Sequence, residues 1–170
     1  MTVIKEIKQF HDEMTEWRRD IHQHPELKFE EFRTADLVAA KLEEFGIEIH
    51  RGLAKTGVVG TIRNGDGPSI GLRADMDALP LEEKNTFKHA SSNPGKMHAC
   101  GHDGHTAMLL GAAKHLAASK NFKGTVNFIF QPAEEGGGGG ELMIKEGLFE
   151  MFPVDSVYGL HNWPGMPAGT

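Results

Sequence analysis

An alternation of strand and helix patterns in the second half of the chain most constrains how this sequence can fold. Residues 125–130 (TVNFIF) are rich in β-branched and aromatic residues, as buried strands are, and residues 69–74 are also predicted to form a strand. Between them, apolar residues recur at helical spacing over residues 103–119. A short helix over 142–146 and a last strand over 154–160 follow. Because strands joined by helices pair in parallel, we expect an α/β fold with a mostly parallel central sheet flanked by helices.

The first half of the chain adds further elements to this sheet. Apolar periodicity predicts helices over residues 3–22 and 34–45, and short apolar runs predict strands over 47–50 and 57–62. The turn-forming cluster at residues 64–68 (NGDGP) predicts a hairpin between the strands 57–62 and 69–74. Asp103 is expected to cap the helix that follows it. No repeat or linker divides the 170 residues.

Composition excludes several classes of protein. With 18 Lys and Arg against 24 Asp and Glu, the net charge is −6, which argues against a nucleic-acid binder. No apolar run approaches the roughly 20 residues that span a bilayer, and the charged N-terminus has no secretory signal. The single cysteine excludes an internal disulfide. We therefore expect a cytoplasmic protein with no nucleic-acid or membrane partner.

Side chains that can bind metals follow the predicted strands. Asp75 and Asp77 follow strand 69–74, Glu134 and Glu135 follow strand 125–130, and His161 follows strand 154–160. In sheets of parallel strands, ligands bind outside the carboxyl ends of the strands. The sequence therefore predicts that these side chains gather at one edge of the sheet and form a metal site.

The segment before the helix 103–119 supplies a thiol and imidazoles to the same edge. In an extended loop, Cys100 and His102 point to the same side, so both can reach one metal or two adjacent ones. His105 follows on the helix. A thiolate combined with imidazole favours zinc or another late first-row ion. The alternative is a buried, unreactive cysteine.

The carboxylates and His161 also allow more than one interpretation. Glu134 and Glu135 are either a solvated surface pair or a metal ligand beside a general base. Asp75 and Asp77 either orient a histidine or cap the turn before the next proline. His161 alone fits a core histidine as well as a ligand.

Five motifs, taken together, resemble one family of enzymes. The sequence is similar to the aminoacylase and hippurate-hydrolase-like branch of the metal-dependent amidohydrolases and carboxypeptidases, which includes the auxin-conjugate hydrolases of plants. The motifs occur in this order: WRRDIHQHPELKFEE, GLRADMDALP, MHACGHDGHTAMLLGAA, IFQPAEEGGGG and GLHNWPG. The resemblance implies a zinc-peptidase-like catalytic domain with two divalent metal ions, zinc or manganese, with cobalt or nickel as alternatives.

The resemblance also implies a role for each motif residue. Cys100, His102, Glu135 and His161 correspond to metal ligands, and Glu134 corresponds to the general base. Apart from the resemblance, Asp75, Asp77 and His105 are candidates to contact and orient these ligands. The implied reaction is hydrolysis of the linear amide bond of small N-acyl amino acids, hippurate-like substrates, by a metal-activated water.

Members of this family are considerably longer than 170 residues. They carry a fifth metal ligand near the C-terminus and an inserted lid domain that often forms a homodimer. The resemblance therefore implies that residues 1–170 are the N-terminal part of the catalytic domain, without the inserted domain and the C-terminal half. Two alternatives remain: a truncated metal-binding fragment without catalysis, and a hydrolase with Cys100 as nucleophile.

Overall fold

The strands of the described residues, 4–167, form one five-stranded sheet in the computed structural model of the chain. They are β1 (Glu48–Leu53), β2 (Gly57–Asn64), β3 (Ser69–Asp75), β4 (Gly124–Gln131) and β5 (Ser156–Gly159). Their order across the sheet is β1-β2-β4-β3-β5. The helices are α1 (Lys5–Lys8), α2 (His11–Gln23), α3 (Phe32–Glu44), α4 (His102–Ser119), α5 (Gly139–Lys145) and α6 (Leu148–Met151).

The direction of the strands confirms the predicted crossovers. β3 pairs in parallel with both β4 and β5, as expected for strands joined by helical connections. β2 pairs antiparallel with both β1 and β4, so it runs against the other four strands. The sheet is therefore mixed, and the predicted α/β class with flanking helices is confirmed.

The hairpin predicted at residues 64–68 is wrong. β4 lies between β2 and β3, so these two strands do not pair. The reason lies in β4, where Phe128 and Phe130 on one side and Ile129 on the other are all buried. A strand that buries both faces is most stable in the interior of a sheet, with a partner on each edge. The turn residues reverse the chain locally, but they do not decide which strands become neighbours.

Two helix predictions also need correction. The helix predicted over 3–22 is broken at Phe10 (φ −92°, ψ 2°), which separates α1 from α2; residue 3 lies outside the described residues. Asp103 lies inside the first turn of α4, and Gly101 is the N-cap residue. Instead of capping the helix, the buried Asp103 carboxylate accepts a hydrogen bond from Arg18 Nε at 3.0 Å and contacts His22 Nδ1 at 2.8 Å. The remaining elements occur where predicted with shifted ends, and α6 was not predicted.

The core has two parts, one on each face of the sheet. On the first face, Phe128 and Phe130 of β4 pack with residues of α2, α3 and α4, including Trp17, Leu42 and Leu110. On the second face, a smaller cluster joins β2 and β4 to α5 and α6. Because both faces are covered, the ends of the strands remain as the place for a site. No helix within residues 4–167 combines the length and apolar character needed to cross a membrane.

Candidate metal centre

The carboxyl ends of β3, β4 and β5 meet the N-terminus of α4 at one edge of the sheet. Asp75 is the last residue of β3, and His102 is the first residue of α4. The segment after β4 carries the two glutamates, and the segment after β5 carries His161. The structure brings together all eight residues singled out from the sequence, which are Asp75, Asp77, Cys100, His102, His105, Glu134, Glu135 and His161.

His102 lies at the centre of this cluster and is fully buried, with 0% of its side chain exposed. Its Nε2 atom lies 3.6 Å from Asp75 Oδ2, 3.8 Å from Glu134 Oε2 and 3.9 Å from Glu135 Oε1. Its Nδ1 atom lies 3.4 Å from Asp77 Oδ1. Neither ring nitrogen has a hydrogen-bond partner within the described residues. Buried polar groups are almost always satisfied, so these carboxylates surround an imidazole that still needs a partner.

The Cys100 thiol and the His161 imidazole also belong to the cluster. Cys100 Sγ lies 3.4 Å from His161 Nε2. The potential donor atoms fall into three groups, each with all its atoms within 4.8 Å of one another: Cys100–His102–His161, Asp75–His102–His105 and His102–Glu134–Glu135. Because His102 belongs to all three groups, the donors form one connected cluster.

The cluster fits a divalent transition metal in both spacing and chemistry. Each ligand of zinc stands about 2 Å from the ion, so donors that share an ion lie roughly 3 to 4 Å apart. The distances from His102 to the four carboxylates, 3.4 to 3.9 Å, fall in this range. A thiol with imidazoles and carboxylates favours zinc and its neighbours over magnesium or calcium.

The electrostatics of the cluster show an excess of negative charge. Burial lowers the pKa of His102, but the carboxylates of Asp77 and Asp75 outweigh it and raise the pKa above its ordinary value. Burial, with Glu135 and Glu134, raises the pKa of the Cys100 thiol to about 11. The carboxylates therefore retain protons on their neighbours. A bound metal cation would supply the same compensation and release those protons.

Asp75 is held by partners on both of its oxygens. Its Oδ1 atom lies 2.7 Å from His105 Nδ1, and its Oδ2 atom accepts a hydrogen bond from Arg73 Nη1 at 2.8 Å. Burial raises the pKa of Asp75, but the His105 hydrogen bond and the positive charges of His102 and Arg73 bring it below its ordinary value. Asp75 therefore contacts both a histidine and an arginine side chain.

Asp77 holds the backbone of the two glutamates. Its Oδ1 accepts a hydrogen bond from the Glu134 amide and its Oδ2 accepts one from the Glu135 amide, each at 2.9 Å. Both glutamate side chains approach His102 Nε2, and 40% of the Glu134 side chain and 27% of the Glu135 side chain are exposed. The backbone of the pair is therefore held by a buried carboxylate.

Gly101 allows the segment after β5 to approach α4. Its φ of +91° is rarely adopted by other residues, and a Cβ atom there would lie 2.4 Å from Asn162 Oδ1. The same Asn162 Oδ1 lies 2.6 Å from His105 Nε2. This close approach places His161 beside Cys100.

Sequence reasoning missed two residues that contact members of the cluster: Arg73 and Asn162. Arg73 lies two positions before Asp75 on the same strand, so the period of a strand places both side chains on one face. That spacing could have identified Arg73. Asn162 follows His161 directly, but only the fold brings it to His105.

Residues 71–170 match the model of the family described as peptidase family M20/M25/M40. The match spans more than half of the 170 residues. The chain belongs to this family. The resemblance drawn from the five motifs is thereby confirmed.

Several relatives are close to this chain in sequence, and their alignments extend beyond residues 71–170. The chain is 54% identical over 165 residues to a hippurate hydrolase of Campylobacter jejuni, covering 96% of this chain and 43% of the relative. It is 45% identical over 172 residues to an N-acyl-L-amino acid amidohydrolase of Geobacillus stearothermophilus, covering 97% and 46%.

A solved structure of the M20 family supports the fold. It is that of a Bacillus subtilis protein described as a dinuclear metal-binding peptidase. Its TM-score with this chain is 0.89 at 45% identity, over 94% of this chain and 45% of the other. The chain thus spans less than half the length of each of these relatives.

Proposed function

We propose that residues 1–170 form the N-terminal part of the catalytic domain of a metal-dependent amidohydrolase that cleaves N-acyl amino acids. The observation that carries this proposal is the fully buried His102, whose unpartnered ring nitrogens face four carboxylates. The substrate class comes from two relatives, named hippurate hydrolase and N-acyl-L-amino acid amidohydrolase.

Four residues of the cluster would hold two divalent metal ions. Cys100, His102 and His161 form one group of neighbouring donors, and Glu135 joins His102 in another. A similar structure described as dinuclear metal-binding supports the number of ions. Bound ions would polarise the amide carbonyl and lower the pKa of the attacking water. The thiol ligand favours zinc, with manganese as the alternative.

Glu134 is the general base in this proposal. It is the more exposed of the two glutamates, and its Oε2 atom lies 3.8 Å from His102 Nε2. Its carboxylate takes a proton from water as the water oxygen bonds to the amide carbon. When the carbon–nitrogen bond breaks, Glu134 returns that proton to the leaving amine, which restores the carboxylate.

A second candidate function rests on the contact between Cys100 and His161. A thiol 3.4 Å from an imidazole nitrogen is also the arrangement of a cysteine hydrolase. However, burial and the carboxylates raise the pKa of this thiol to about 11, which leaves little thiolate at neutral pH. We therefore rank this function below the metal-dependent one. A metal-binding role without catalysis is the third alternative.

The test measures hydrolysis of hippurate by the intact protein before and after removal of metal with a chelator. We expect turnover to disappear with the metal and to return when zinc or manganese is restored. Turnover that persists in metal-free protein and is abolished by thiol alkylation would support the cysteine hydrolase instead. Bound metal without turnover of any N-acyl amino acid would support the non-catalytic alternative.

A further inference from the structure

Glu31 is a fully buried carboxylate outside the metal cluster, with 0% of the residue exposed. It immediately precedes α3. Its Oε1 atom accepts a hydrogen bond from the Ala133 amide at 2.9 Å, and its Oε2 atom accepts one from Thr56 Oγ1 at 2.6 Å. No ion pair to Glu31 is found within residues 4–167. A buried carboxylate without a cation is costly, so its hydrogen bonds call for an explanation.

Ala133 occupies an unfavourable backbone conformation directly before the two glutamates. Its φ is +53°, in the left-handed region that residues with a Cβ seldom adopt. Its carbonyl oxygen accepts a hydrogen bond from the Gly139 amide at 3.1 Å. A Cβ at Gly139 would lie 1.8 Å from the Pro132 carbonyl oxygen, so the loop returns tightly on itself here. Such a conformation persists only where surrounding contacts fix it.

Two buried carboxylates together hold three successive amides of this loop. Glu31 accepts from the amide of Ala133, and Asp77 accepts from those of Glu134 and Glu135. Glu31 reaches the loop from the segment before α3, whereas Asp77 reaches it from the segment after β3. The backbone of residues 133–135 is therefore held from two separate parts of the chain.

We propose that Glu31 is a positioning residue, which fixes the backbone of residues 133–135 and thereby sets the places of the Glu134 and Glu135 carboxylates. The consequence for catalysis rests on the proposed function, because it requires Glu134 to act as base. The consequence for the backbone does not rest on it.

The proposal requires the hydrogen-bonding shape of the Glu31 side chain and not its charge. In Glu31→Gln, the amide oxygen accepts from Ala133 while the amide nitrogen donates to the Thr56 hydroxyl, which can accept. Both contacts therefore survive. In Glu31→Ala both are lost. A matched control is Glu26→Ala, since Glu26 accepts from the amides of Arg33 and Thr34 at the start of the same helix.

The first experiment measures hydrogen exchange of the amides of residues 133–135 in the metal-free intact protein. We expect Glu31→Ala to accelerate their exchange by roughly tenfold or more, as local opening becomes easier. Glu31→Gln and Glu26→Ala should exchange there at the wild-type rate. Unchanged exchange in Glu31→Ala, or equal acceleration in Glu31→Gln, would overturn the proposal.

Thermal unfolding shows whether each variant folds. If Glu31→Ala does not fold, Glu31→Asp takes its place, since it keeps a carboxylate and withdraws it by one methylene group from Ala133. The same acceleration is then expected. Wild-type exchange in a folded Glu31→Asp protein would contradict the proposal.

The second experiment measures hippurate turnover by the metal-loaded variants. We expect kcat of Glu31→Ala to fall by on the order of 10- to 100-fold, because small displacements of a catalytic group are costly. KM should change little, and Glu31→Gln should restore kcat. Wild-type kcat in Glu31→Ala would overturn the catalytic part of the proposal. If the wild-type protein does not hydrolyse N-acyl amino acids, the proposed function fails, and the exchange measurements still decide the role of Glu31.

Discussion

Cys100 Sγ lies 3.4 Å from His161 Nε2, although 61 residues separate them in sequence. The contact joins the segment before α4 to the segment after β5. It is compatible with two donors to one metal and also with a nucleophile beside its base. Metal content measured together with turnover distinguishes these two interpretations.

Removal of single imidazoles along α4 tests the metal cluster. We expect His102→Asn to lower the metal-to-protein ratio strongly, because His102 belongs to all three groups of donors. Elemental analysis of the desalted protein measures the ratio. His115→Asn, on the same helix and outside those groups, should retain the metal. Equal metal content in both variants would contradict the assignment of His102.

Cys100→Ser tests the thiol as a ligand. A hydroxyl is a much poorer zinc ligand than a thiolate, so we expect less bound metal and lower turnover together. In a cysteine hydrolase, the same variant would lose turnover while any bound metal stayed. Measurement of metal content beside turnover therefore separates the two functions.

The two adjacent glutamates should respond differently to the same substitution. We expect Glu134→Gln to lower turnover by about 100-fold or more, because the amide cannot accept the proton from water. Its metal content should equal that of the wild type. Glu135→Gln should lose metal as well as turnover. A loss of metal in Glu134→Gln alone would show that the two roles are reversed.

Gly101→Ala tests the close approach of the segment after β5. The added Cβ would meet Asn162 Oδ1 at 2.4 Å, and φ at this residue is +91°. We expect the free energy of unfolding to fall by about 1–2 kcal/mol from the backbone alone, together with a loss of metal. Chemical denaturation measures the former.

The control for Gly101→Ala is Gly104→Ala on the same helix. A Cβ at Gly104 meets nothing within 4 Å. Because alanine is favoured over glycine in a helix, we expect this variant to be more stable by about 0.5–1 kcal/mol. It should bind metal as the wild type does. Destabilisation of similar size in both variants would argue against a specific role for Gly101.

The ionisation of Glu31 predicts a pH-dependent difference in stability. Burial raises the pKa of Glu31 above its ordinary 4.5 and outweighs the hydrogen bonds from Thr56 and the backbone. Because its pKa is raised in the folded state, Glu31 lowers the free energy of unfolding once it ionises. The protein keeps its full stability below pH 4.5 and loses this part of it as pH rises through the folded-state pKa. Glu31→Gln stays neutral and avoids this loss.

We therefore expect Glu31→Gln to gain stability over the wild type as pH rises from 4.5 to neutral. Urea denaturation of both proteins at each pH gives the difference, in which the titration of all other groups cancels. A difference that shrinks as pH rises would show that the Glu31 carboxylate is stabilised, not penalised, by its surroundings.

The ends of the strands were the most predictable part of the site. The sequence predicts the three strands β3, β4 and β5, and their parallel pairing brings Asp75, Glu134 and His161 to one edge. This inference needs only the order of elements and the geometry of parallel sheets. Shifts of one or two residues at the ends of individual strands do not change this edge of the sheet.

Strand pairing and side-chain burial that depend on residues far apart in the sequence could not be predicted in the same way. The turn at residues 64–68 is local, but the insertion of β4 between β2 and β3 depends on a strand that comes much later in sequence. Glu31 belongs to the acidic stretch FEE, which has the composition of a solvated surface. Only tertiary packing buries it beneath Ala133 and Thr56. Asp103 likewise has the position of a helix cap until Arg18 and His22 are brought to it.

The pairing of β5 with β3 has a consequence for protein synthesis. β5 is the last of the described strands to be made, and His161 follows it. During translation, Cys100, His102 and both glutamates are synthesised before His161. The contact between Cys100 and His161 forms only when β5 docks on β3, so metal binding that uses both side chains should follow this docking step.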